Sequence, residues 1–176
     1  MGSMKGNDVD ASSVDSLIEE LRGKDGLARQ KARIALVKIG EPALDALVNA
    51  FEDKSDIMHW EVAKALSQIG GSKAAETLIQ ALEDKEFSIR WIGAEGLVHV
   101  GQDGVMELLK ALTERADSVW LREGAHHVFH DLIHKKLVAG KTNEQLSLVL
   151  EALNHGDPVT ETNGSAHKAL EILKAG

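Results

Sequence analysis

Gly40, Gly70 and Gly101 stand 30 and then 31 residues apart, and each closes the same apolar pattern. The segments are QKARIALVKIG (30–40), WEVAKALSQIG (60–70) and WIGAEGLVHVG (91–101). One residue before the glycine lies Ile39, Ile69 or Val100, and four before it Leu36, Leu66 or Leu97. Eight before it stands Ala32, Val62 or Gly93. That spacing is one face of a helix, and the glycine is its C-terminal stop.

Each glycine is followed by a second apolar segment, 41–53, 72–84 or 102–114. Leu44, Leu47, Val48 and Phe51 fall at helical spacing, as do Leu78, Ile79 and Leu82, then Leu108, Leu109 and Leu112. Pro42 falls near a helix start, where a missing N–H costs little. Asp56, Ser88 and Ser118 sit where N-caps are wanted. After Ser118 the segment VWLREGAHHVFHDLI carries Ala125, Phe129 and Leu132 in place of Gly93, Leu97 and Val100. Ile133 replaces the glycine there, so that helix is expected to run to about Val138 and stop at Gly140. A fifth, degenerate unit begins with a capping box from Thr142 to Gln145.

A unit of about 30 residues containing two helices cannot bury its apolar faces alone and must stack on its neighbours. The expectation is an all-α solenoid of about five helix–turn–helix repeats, near 14–40, 41–70, 71–101, 102–140 and 141–176. Residues 12–176 then form a single domain, and residues 1–11 a disordered tail whose opening MGS reads as a cloning remnant.

Composition narrows the function classes. The chain has 176 residues, 43% hydrophobic and 27% charged, which suits a packed soluble domain. Its formal net charge of −8 is the wrong sign for a phosphate-backbone binder, so no nucleic-acid partner is expected. Without cysteine there is no disulfide, thiolate nucleophile or zinc–thiolate site. No signal peptide or spanning segment is read, and a cytoplasmic location is expected.

The A-x-x-L-x-x-I-G helices followed by apolar helices resemble HEAT repeats of the short, lyase-associated type, over residues 14–175. The resemblance implies that the second helix of each repeat lines a concave groove. Residues ten, seven, six and three before the glycine then face the groove. These are Gln30, Arg33, Ile34 and Val37, then Trp60, Ala63, Lys64 and Ser67, then Trp91, Ala94, Glu95 and Val98. The fourth unit presents Glu123, His126, His127 and His130, and the fifth Gly164, His167, Lys168 and Glu171. Trp60 and Trp91 either anchor a partner from this groove or tuck between repeats as core. Arg90 and Arg122, one repeat apart, either bind an acidic ligand or pair with carboxylates such as Glu61 or Glu95.

His126, His127, His130 and His134 occupy about 100° of helix arc, with Glu123 among them. Pairs four residues apart can reach one ion, so His126, His130 and His134 are candidate ligands for a divalent metal, completed by Glu123, Glu95 or water. The alternatives are adventitious zinc or nickel binding and a plain polar face. HEAT-repeat hydroxylases with paired irons carry His-Glu dipeptides on successive groove helices. This chain has Trp60-Glu61, Trp91-Ile92 and Glu123-Gly124 there, so that activity is not carried over. The expectation is a non-enzymatic scaffold without cofactor, binding a protein, peptide or other ligand through Trp60, Trp91, Arg90, Arg122, Glu123, His126, His127 and His130. The alternative is a metal-dependent enzyme or a lyase-type chromophore-handling protein using the same groove.

Overall fold

A computed structural model of the chain describes residues 11–155 and 157–175. Every regular element among them is helical: α1 (Ala11–Leu21), α2 (Gly26–Ile39), a 3-10 turn (Glu41–Ala43) leading into α3 (Leu44–Ala50), α4 (Asp56–Ile69), α5 (Ser72–Ala81), α6 (Phe87–Val100), α7 (Gln102–Arg115), α8 (Val119–His134), α9 (Gly140–Leu153) and α10 (Pro158–Lys174). The expected tail lies outside the described residues except for Ala11, which opens α1. No described helix is long and apolar enough to cross a membrane.

The glycine stops work as the spacing predicts. Gly40, Gly70 and Gly101 have φ of 73°, 78° and 71°, and their N–H groups donate to the carbonyls of Leu36, Leu66 and Leu97. With ψ between −126° and −167°, these residues occupy backbone space that a Cβ makes costly. Without such a glycine, α8 ends earlier than expected, at His134. Lys136 takes φ 56°, its N–H donates to Ile133 (3.0 Å), and Leu137 N–H donates to Leu132 (2.9 Å). That paired closure is a Schellman motif built on a lysine.

Cap positions shift by a residue or two from expectation. Ser118 caps α8, its hydroxyl accepting from Leu121 N–H at 3.3 Å. Asp56 and Ser88 lie inside their helices, and Ser55 and Glu86 hold the cap positions. Because α9 starts at Gly140, Thr142 is already helical and the Thr142–Gln145 box is not the start of the helix.

Two layers stack. In one, α1, α3, α5 and α7 follow one another, and in the other α2, α4, α6 and α8 do so. The residues four and eight before the stop glycines are buried: Leu36, Leu66, Leu97 and Phe129, with Ala32, Val62, Gly93 and Ala125. Gly96 lets α6 approach α4 closely, since a Cβ there would stand 2.8 Å from the Ser67 Cβ.

The fifth unit departs from the repeat register. α9 packs on α8, while α10 packs on α7 rather than continuing the row of second helices. Asn163 on α10 donates to the Thr113 carbonyl of α7 at 2.7 Å, tying the crossing. Gly164, His167, Lys168 and Glu171 are therefore not the fifth row of the groove. The −10, −7, −6, −3 register extrapolates only while successive units stack alike, and here the pair closes the stack instead.

Candidate functional site

The candidate site lies at the N-terminal ends of α6 and α8. These ends are adjacent because the helices are equivalent members of successive units. In these first turns Ile89 and Leu121 point into the core, and the positions on the other side of each helix face solvent. Phe87, Trp91 and Trp120 stand there, 67%, 48% and 42% exposed. Leu27 and Ile57 are exposed in the corresponding first turns of α2 and α4.

Phe87, Trp91, Trp120, Arg90, Glu123 and His127 surround a cleft of about 150 Å³, floored by Leu82, Ala94 and Gly124. The Phe87 and Trp91 ring centroids are 6.3 Å apart, and Trp91 lies 4.8 Å from the His127 ring. The Arg90 guanidinium sits 4.8 Å over Trp120 and 5.6 Å over Phe87. A Cβ on Gly124 would meet the Leu82 side chain at 2.8 Å, so glycine is what permits the tight floor.

Trp60 and Trp91 do not form one aromatic ridge. Trp60 is half-buried against the core, with the Arg33 guanidinium 5.2 Å and the Lys64 ammonium 6.0 Å from its centroid. Trp91 is instead grouped with Phe87 and Trp120, which the groove register omits. The signal for them was in the sequence: each opens a helix at a position too early for the buried stripe.

Arg90 and Arg122 play a part other than either one expected. Arg90 Nη1 donates to the carbonyls of Asp84 (2.8 Å) and Lys85 (3.0 Å), and Arg122 Nη1 donates to the Ala116 carbonyl. Arg29 does the same to Gly23 at 2.8 Å. Each arginine thus ties the end of the preceding helix, six residues back, to its own helix. Glu61, 4% exposed, is held by Arg29 (3.1 Å) and by Arg33, one on each oxygen. Its carboxylate is spent on this ion triad.

The histidine row splits into two behaviours. His126, His130 and His134 stack along the helix edge, with centroids 6.3 Å and 5.6 Å apart and rings nearly parallel. Stacked rings turn their faces to one another and do not converge on one point. His127 points across to α6, where its Nε2 lies 3.0 Å from Glu95 Oε1. Glu95, His127 and Asp131 each offer a ligand atom within 4.8 Å of the others, the group of this kind among the described residues. Asp131 also holds the Lys135 ammonium at 2.6 Å. That hydrogen bond, ahead of a weaker one from His130, keeps the Asp131 carboxyl below the usual aspartate range and raises Lys135.

A comparison with curated proteins finds no match to the chain. Residues 14–98 match the family model for HEAT repeats, a span running from α1 through most of α6. Residues 14–98 are thus HEAT repeats, and the helix pairs continue beyond that span into α7 and α8 in the same two layers.

Proposed function

We propose that the protein is a non-enzymatic binding scaffold that engages a protein or peptide partner along the exposed starts of α6 and α8. The observation that carries this reading is the exposure of Phe87, Trp91 and Trp120 side by side. Aromatic side chains lose much apolar contact by facing water, and clustered exposed aromatics characterise binding surfaces. The repeat supplies a rigid frame for them, since the starts of α6 and α8 are each clamped by an arginine to the end of the helix before it. We assign the scaffold to the cytoplasm, where a chain without disulfides suits the reducing environment. The test is capture of partners on immobilised protein, with wild type compared against a Trp91→Ala, Trp120→Ala double variant of unchanged thermal stability. A partner set retained equally by both would refute the reading.

A second reading, a metal-dependent enzyme, is favoured by one observation: the convergence of Glu95, His127 and Asp131. A His and an Asp four residues apart on one helix, with a carboxylate from the next, is a workable set for zinc, manganese or iron. Metal analysis of tag-free protein tests it. Stoichiometric metal lost in His127→Ala supports it; metal that follows only His126, His130 and His134 marks adventitious chelation, and metal-free protein removes it.

A further inference from the structure

The charge around the aromatic cleft is as uneven as its hydrophobicity. Glu123 lines the cleft, Glu86 precedes Phe87 in the chain, and Asp117 lies just before Val119 and Trp120. Among the described residues none of these carboxylates is held in an ion pair. Of the neighbouring cations one is paired with a carboxylate, and the other lines the cleft with its charge intact but its position fixed. Lys85 pairs with Asp56 at 3.1 Å, and Arg90 is fixed by the Asp84 and Lys85 carbonyls. Arg90 nevertheless shows what these rings accept, because its guanidinium rests over both Trp120 and Phe87. Trp91, which also lines the cleft, has the His127 ring against it at 4.8 Å and no arginine or lysine over its face among the described residues.

Size narrows the occupant. At about 150 Å³ the cleft is smaller than the ~300–1,000 Å³ typical of small-molecule and cofactor sites, and it suits a single long side chain. Resting on the scaffold reading above, we propose that the cleft takes an arginine or lysine side chain from a basic linear segment of a partner protein. Trp91 supplies the aromatic face, and Glu123 the counter-charge. The net charge of −8 draws such a segment in from a distance.

The test uses the full chain and two fluorescein-labelled probes, a Gly-Arg repeat peptide and a Gly-Glu repeat peptide of equal length, read by fluorescence anisotropy. The Gly-Arg probe is expected to bind saturably and more weakly as salt rises. Glu123→Gln and Trp91→Ala, both at exposed positions, should each weaken it about tenfold. Asp103→Asn on α7 removes the same unit of charge away from the cleft and should leave binding within about twofold. Three results overturn the inference: no saturable binding of the Gly-Arg probe, equal or tighter binding of the Gly-Glu probe, or an Asp103→Asn effect as large as that of Glu123→Gln. Each leaves the scaffold reading standing, because that reading falls only if partner capture ignores Trp91 and Trp120.

Discussion

Gly93 and Gly164 both lie inside helices, and their replacement by alanine should act in opposite directions. In isolation each change removes the backbone-entropy penalty of a helical glycine, a gain of about 0.5–1 kcal/mol. At Gly164 on α10 nothing lies within 4 Å of the added Cβ, so the gain is realised. At Gly93 the Cβ would stand 2.9 Å from the Leu78 carbonyl oxygen, 3.0 Å from the Ala81 Cβ and 3.3 Å from the Ala81 carbonyl carbon. These are backbone and Cβ atoms of α5, with no rotamer to yield, so α5 and α6 must move apart. Overpacking of that kind costs about 1–3 kcal/mol and outweighs the propensity gain. In a chain of this length 1 kcal/mol moves Tm by roughly 2–4 °C. The net cost centres on about 1 kcal/mol and reaches about 2.5, so Gly93→Ala should lower Tm by roughly 2–5 °C and by no more than about 10 °C, and Gly164→Ala should raise it by roughly 1–4 °C. Thermal unfolding followed by far-ultraviolet circular dichroism reads both. The corresponding positions hold Ala32, Val62 and Ala125, so a repeat consensus recommends the harmful change. A neutral or stabilising Gly93→Ala would refute the claimed close approach of α5 and α6.

Other substitutions test other parts of the frame. Glu61→Ala leaves Arg29 and Arg33 partly buried without their carboxylate and should cost roughly 3–5 kcal/mol, read as a lower urea midpoint. Gly70→Ala forces a Cβ into glycine-only backbone space and should cost about 1–3 kcal/mol although nothing crowds it. Lys136→Gly, at φ 56°, should instead gain about 1 kcal/mol. Lys135 holds the Asp131 carboxyl below its unfolded range, so this group contributes stability above about pH 4, lost as pH falls through the lower folded value. Asp131→Asn should flatten the acid limb of a stability–pH curve and, because Asp131 is what raises Lys135, remove that lysine's alkaline contribution too; an unchanged acid limb would refute the contribution.

The sequence by itself determined the helices, the repeat frame and the buried stripe. Apolar period and stop glycines are local properties of each segment, which is why Leu36, Leu66, Leu97 and Phe129 all land in the core. Sequence register also put Glu123 and His127 on an accessible face. It went astray wherever the answer depended on the neighbouring unit. Arg90 and Arg122 looked available for a ligand, but the end of the preceding helix lies within their reach. Trp60 and Trp91 share a register position and differ in surroundings, one covered by Arg33 and Lys64, the other left beside Phe87 and Trp120. The histidines fall within one arc, yet only His127 meets a carboxylate across the helix boundary. Only the tertiary structure decided that α10 crosses to α7. Periodicity states which face of a helix avoids water; which helix comes to cover that face is settled by packing among elements far apart in the chain.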